Sequence, residues 1–153
     1  MPNLLPAEFN KEVIPLNAAN KHRIGYKRGL KFNGENGDVI RDGQNRVCIA
    51  SGIEEWQRWC ENCVMTQRNA YRAYTSDFGI DIKRALKANS RIETETILRH
   101  EIADALMADD YKRTISVNNI EFDWLSPDSL KISVSVTGID GAAINFTVPI
   151  KTG

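Results

Sequence analysis

Three stretches toward the carboxyl end, ISVNNIEFDWL at 115–125, LKISVSVT at 130–137 and AINFTVPI at 143–150, decide the fold. In the first, Ile120, Phe122 and Trp124 alternate with Glu121 and Asp123. In the second, Ile132, Val134 and Val136 alternate with serines, and in the third Ile144, Phe146 and Val148 recur at every other place. Successive side chains of a strand point to opposite faces, so each stretch reads as a strand with one apolar and one wet face. Ser126-Pro127-Asp128-Ser129 and Ile139-Asp140-Gly141 supply turns between them, and consecutive antiparallel pairing into a meander is the simplest topology. The apolar face of that sheet needs helices to cover it. With no sequence after the third strand, one sheet edge is expected to stay open unless an N-terminal hairpin closes it, and open edges accept foreign strands through main-chain hydrogen bonds.

The covering helices are legible upstream. Ser51-Gly52-Ile53-Glu54 has the form of a capping box, in which the serine oxygen and the glutamate carboxylate each take an otherwise orphan amide. Ile53, Trp56, Cys60, Cys63 and Val64 then recur at steps of three and four, with Trp59 widening the stripe. Such a stripe fits either the chain's own sheet or a seam with helices of other chains. Arg68–Thr75 reads as a strand or extended turn, Ser76-Asp77-Phe78-Gly79 as a tight turn, and Ile80–Lys87 as a short helix. Ser90-Arg91-Ile92-Glu93 repeats the capping form and opens a helix to about Ala108, with Ile92, Leu98, Ile102, Ala105 and Leu106 on one side.

At the other end, Pro2, Pro6 and Pro15 punctuate residues 1–20, which read as an extended arm, because proline removes amide donors and disfavours helix before it. Lys21–Phe32 and Asp38–Ala50 read as strands around the turn Asn33-Gly34-Glu35-Asn36-Gly37. The expectation is therefore an α+β chain: arm 1–20, then a single domain 21–153 with an N-terminal β-hairpin, covering helices and a C-terminal antiparallel meander.

Composition narrows the function. Twenty Lys and Arg balance twenty Asp and Glu, whereas nucleic-acid binders concentrate a basic excess, so no nucleic-acid partner is expected. No stretch approaches the roughly 18 apolar residues that span a bilayer, and no signal peptide is evident, so no membrane role is expected and the chain should stay in the cytoplasm unless it leaves inside a particle. Cys60 and Cys63 form a C-x-x-C, but they lie about two turns into a helix, away from the N-terminus that would stabilise a thiolate. Cys48, His22 and His100 do not complete a zinc pattern, so no metal is expected. Neither histidine has a nucleophile motif near it, Glu54 and Glu55 diverge on a helix, Asp109 and Asp110 read as helix-end charge, and no phosphate loop is present. No cofactor and no catalytic residue are expected.

The sequence Gly52-Ile53-Glu54-Glu55-Trp56, the triplet Thr66-Gln67-Arg68, the aromatics to Tyr74 and the turn Asp77-Phe78-Gly79-Ile80 follow in order, and behind them come the helix Ile92–Leu106, Asp109-Asp110 and the strand Ile115–Phe122. From Lys21 onward this order resembles the baseplate wedge proteins of contractile tails, the sheath-initiator family of phages, defective prophages and tail-like bacteriocins. That family has a glycine-led helix, a T-x-R or E-P-R triplet, aromatics and an aspartate-aromatic-glycine turn. Thr66 and Gln67 depart from its commoner glutamate and proline, and Trp59, Cys60 and Cys63 from its small or polar residues. The resemblance implies a structural, non-enzymatic subunit in six copies per baseplate around the tail tube. It implies that Ile53, Trp56, Cys60, Cys63, Thr66, Gln67 and Arg68 face a core bundle of larger wedge proteins, with Arg68 tying the segment after the helix to that bundle. It implies too that Ile132, Val134, Val136, Ile144, Phe146 and Val148 belong to the sheet that meets the tail sheath subunit, with tube or hub proteins nearby. Location would be the baseplate of a virion or tail particle, and the host cytoplasm during assembly. Two other readings stand beside it, a peptidoglycan-cleaving tail-tip enzyme and an adaptor that binds a peptide strand.

Overall fold

The structure, a computed structural model, describes residues 25–151. The proposed arm, with His22 and the first residues of the hairpin's leading strand, lies outside the described residues. In order, the elements are β1 Gly29–Leu30, β2 Ile49–Ala50, α1 Gly52–Met65, α2 Ile82–Leu86, α3 Arg91–Met107, β3 Thr114–Ser126, β4 Ser129–Gly138 and β5 Ala143–Lys151. The fold is α+β. β3, β4 and β5 form an antiparallel sheet in the order β3-β4-β5, with β4 central.

The alternation fixes which way the sheet faces. Leu130, Ile132, Val134 and Val136 of β4 and Ile144, Phe146, Val148 and Ile150 of β5 point to one side and are buried. α1 packs along β5 and α3 along β3 on that side, so the two helices and the sheet make two layers around one core. The cap of α1 is the full reciprocal box: Ser51 Oγ accepts from the Glu54 amide, and a Glu54 carboxylate oxygen accepts from the Ser51 amide. At α3 the box is shifted. Ser90 Oγ accepts from the Glu93 amide, but the Glu93 carboxylate takes the amide of Asn89 instead of that of Ser90.

Several expectations change. Among the described residues the N-terminal strands shrink to the β1–β2 ladder and two isolated bridges, Phe32 with Val39 and Arg41 with Val47, because beyond the Asn33–Gly37 turn a second turn at Asp42–Asn45 folds the returning segment on itself. Of the two readings of residues 68–75, strand or extended turn, the turn holds, and the bridge beside it among the described residues is a parallel one of Gln67 with Ile80. Ile92 is 78% exposed; Thr94 takes the buried place, and Leu98, Ile102, Ala105 and Leu106 follow it into the core. Ile92 sits in the first turn of α3 and, six residues before Leu98, falls about a third of a turn off the buried stripe. Among the described residues the N-terminal hairpin pairs within itself and not with the three-stranded sheet.

Gly138 shows how closely the layers meet. A Cβ there would collide with the Tyr26 hydroxyl and the Trp56 ring. Tyr26 stacks at a tilt on Trp56, 5.5 Å between ring centroids, and donates its hydroxyl to Asp140 at 2.6 Å, strapping the segment before β1 to the β4–β5 turn. Burial, then the bond to Asp140, pushes the phenol from 10.0 up to about 12. A folded-state pKa above the unfolded one means that the strap's contribution is whole below about pH 10 and is lost as the pH rises toward about 12. Tyr26→Phe should remove this: the stability difference between wild type and variant, from urea unfolding, is expected to shrink between about pH 9 and about pH 11.5. A difference constant with pH would refute it.

Candidate functional site

The helix stripe turns inward. Trp56, Cys60, Cys63 and Val64 are fully buried in the chain's own core, and Trp56 Nε1 donates to Thr114 Oγ1 at 3.1 Å. Ile53, at 37% exposed, and the partly buried Trp59 are the members of the stripe that still meet solvent. Burial pushes the Cys60 thiol far up and the Cys63 thiol up to about 11, so both stay protonated and poorly nucleophilic.

Thr66, Gln67 and Arg68 are brought together, and each is engaged within the chain. Thr66 Oγ1 donates to the Asn62 carbonyl at 2.6 Å, which ends α1. Gln67 bridges to α2, donating to Asp81 at 3.0 Å and accepting the Lys83 amide at 3.0 Å. The Gln67 bond, more than any other influence, holds the Asp81 carboxyl below its usual range. Arg68 Nη2 meets Glu101 of α3 at 2.8 Å and the Gly79 carbonyl at 3.3 Å, while its buried Nε has no partner among the described residues. The chain then returns: Arg68 N donates to Ile80 O and Ile80 N to Thr66 O. Gly79, at φ +92°, makes that return, since a Cβ would strike the Thr66 carbonyl. Arg68 is thus a tie between loop 66–80 and α3, and Glu101, which no sequence pattern singled out, is its anchor.

Outside this tie the loop presents an aromatic ledge. Tyr74 stacks on Phe78 at 4.3 Å, Phe78 meets Trp59 edge-on at 5.8 Å, and Tyr71, 62% exposed, meets Tyr74 at 6.1 Å. On the other flank of α1, the Arg58 guanidinium lies 3.8 Å from the Phe32 ring in a groove between the helix and the hairpin, and its Nη1 has no partner among the described residues.

The second surface is the sheet edge. Ile132, Val134, Val136, Ile144, Phe146 and Val148 are buried under α1 and α3, so what the sheet can offer another chain is its main chain. The Gly138 amide donates to the Ala142 carbonyl at 2.8 Å. Counting on from there, Ile144, Phe146, Val148 and Ile150 exchange hydrogen bonds with β4, and Ala143, Asn145, Thr147, Pro149 and Lys151 turn their backbone groups outward. Pro149 fits this phase, having no amide to give β4. Among the described residues no backbone hydrogen bond reaches the outer edge of β5.

The opposite edge differs. β3 carries register shifts between Thr114 and Ser116, Val117 and Asn119, and Trp124 and Ser126. Arg99 of α3 donates to the Ile120 carbonyl at 2.9 Å, Arg91 and Arg99 lie over Trp124 and Phe122, and Trp124 Nε1 donates to Glu95 at 2.8 Å. Bulges and a covering helix are the usual protections of an edge.

One carboxylate of each adjacent acidic pair is engaged within the fold. Glu54 serves the cap of α1, and Asp109 is buried in a bidentate pair with Arg113 at 2.7 and 3.1 Å. Among the described residues no three His, Cys, Asp or Glu side chains gather as a metal site, and no helix is long and apolar enough to cross a membrane.

No curated protein matches the chain. The sequence model of one family, described as contractile injection system sheath initiator, matches residues 28–141, from the hairpin through the β4–β5 turn; β5 itself lies beyond the match. With the match spanning the hairpin, all three helices and the first two strands of the sheet, the chain belongs to the contractile injection system sheath initiator family.

Proposed function

We propose that the chain is a structural baseplate subunit of a contractile tail, on which the sheath begins. The outer edge of β5 receives an extended strand of the first sheath subunit, and each backbone hydrogen bond so formed helps fix the angle and register of the first ring. The loop 66–80, the aromatic ledge and the exposed flank of α1 around Ile53 face the larger wedge proteins, with six copies around the tube. Residues 21–153 act as one domain, and arm 1–20 reaches to neighbours. Of the residues assigned to the bundle, Trp56, Cys60 and Cys63 shape that face from beneath, and Arg68 holds its loop in place. The observation that carries the reading is the contrast between edges: β5 is regular and unpaired among the described residues, while β3 is bulged and covered.

Deleting β5 is a poor test, because Ile144, Phe146, Val148 and Ile150 would leave the core. Thr147→Pro is a better one. Its amide faces outward, so the ladder to β4 survives while the edge loses a central donor. The variant is expected to keep a near-wild-type melting temperature and enter baseplates, yet leave tubes without sheath in electron micrographs. Normal sheath on Thr147→Pro particles would reject the proposed docking edge.

A further inference from the structure

Pro149 occupies an outward position of β5, where it spares the ladder to β4 but withholds a donor from anything added outside. We propose that Pro149 guards this edge: it keeps two copies of the chain from joining through β5 and confines an added strand to Ala143–Thr147.

The danger it answers is specific. β5 pairs with β4 from Ala143 to Lys151 without a register shift, so its outer edge is as straight as its inner one. A straight unpaired edge is a template for an identical edge. Two copies would meet antiparallel about a two-fold axis, and the register of greatest overlap places Thr147 opposite its own symmetry mate, Asn145 opposite Pro149 and Ala143 opposite Lys151. In an antiparallel ladder, facing residues of a bonded pair donate to each other. Asn145 can donate to the Pro149 carbonyl, but Pro149 cannot answer, and its ring Cδ is thrust at the Asn145 carbonyl instead. Symmetry makes the loss happen twice. Every two-fold register that escapes the proline retains only Ala143–Thr147 or less, which is short for a stable strand pair.

A foreign strand is not bound by that symmetry. It can use the amides of Asn145 and Thr147, and the carbonyls of Ala143, Asn145 and Thr147, and end before Pro149. One residue therefore distinguishes a partner from a second copy, while leaving the core face untouched. That the partner is an extended segment of the sheath subunit rests on the function proposed above; the exclusion of a second copy does not.

The test uses the full chain. Pro149→Val and Pro149→Thr, two side chains at home in strands, are compared with wild type by sedimentation over a range of concentrations. Both are expected to dimerise with a dissociation constant lower by about tenfold or more, from the two hydrogen bonds regained. Adding Asn145→Pro should return them to wild-type behaviour. Variants that sediment as wild type, or dimers that survive Asn145→Pro, would overturn the guard. Thr147→Pro with normal sheath would instead overturn the docking edge and leave the guard standing, so the two failures are distinguishable.

Discussion

Trp56→Ala is expected to cost about 3–5 kcal/mol of folding stability, measured by urea unfolding, and to deplete soluble protein before it weakens any contact with a partner. The indole is fully buried, its ring packs on Tyr26 and against Gly138, and its nitrogen donates to Thr114. Truncation leaves a cavity where α1, the strap and the sheet converge, and it orphans the threonine hydroxyl. Against a typical total of about 5–15 kcal/mol, such a loss brings a small domain near the unfolding threshold. Trp56→Phe keeps most of the apolar volume and gives up the hydrogen bond, so its cost should be well below that of alanine. A Trp56→Ala chain as stable as wild type that fails only to enter baseplates would place this side chain on a partner face after all.

The tryptophan also marks where reading a sequence stops. Three- and four-residue spacing says that Trp56, Cys60, Cys63 and Val64 share a face, but periodicity is identical whether that face meets the chain's own sheet or another protein. The choice is made by β5, nearly ninety positions away in the chain, whose apolar side needs a cover of matching length. The strands were legible for the opposite reason: alternation is a local property, and Ile132 through Val136 or Ile144 through Val148 have only one arrangement that buries all of them. Ile92 broke the pattern because, six residues before Leu98, it falls about a third of a turn off the buried face, which Thr94, four residues before Leu98, shares.

Alternation of side chains also leaves a second alternation hidden. It tells which residues face the core, but which of them aim amides at β4 and which aim them outward is set by the turn, through the bond from Gly138 to Ala142. The open edge could have been phased from one residue, since a proline within an otherwise regular strand must face away from its partner. Glu101 and Tyr26 had no comparable signal. Each acts through residues distant in sequence, Arg68, Arg84 and the Asp81 amide for Glu101, Asp140 and Trp56 for Tyr26, and such pairings leave no period to detect.

Asp109 is the sharper case, since an acidic residue beside Asp110 at the end of a helix reads as solvated charge, yet it is the centre of the turn from α3 into β3. Its carboxylate receives the Arg113 guanidinium at two points and the amides of Tyr111 and Arg113 at 3.2 and 3.1 Å. Those bonds hold Lys112 at φ +53°, a left-handed conformation that a lysine adopts only at a cost of about 1 kcal/mol. Arg113 in turn lies against the Trp59 and Tyr111 rings, and its carbonyl accepts the Ile139 amide at 3.0 Å, so the same residue ties the turn to the β4–β5 hairpin. Arg113→Met preserves much of the packing but strands a buried carboxylate, which should cost about 3–5 kcal/mol. Adding Asp109→Asn removes the stranded charge and keeps an acceptor for the turn's amides, so the double variant should be more stable than Arg113→Met alone, although less stable than wild type. Urea unfolding of the four proteins completes the cycle. If Arg113→Met unfolds within about 1 kcal/mol of wild type, the pair is no more than a surface bridge in energetic terms, and the turn must draw its rigidity from elsewhere.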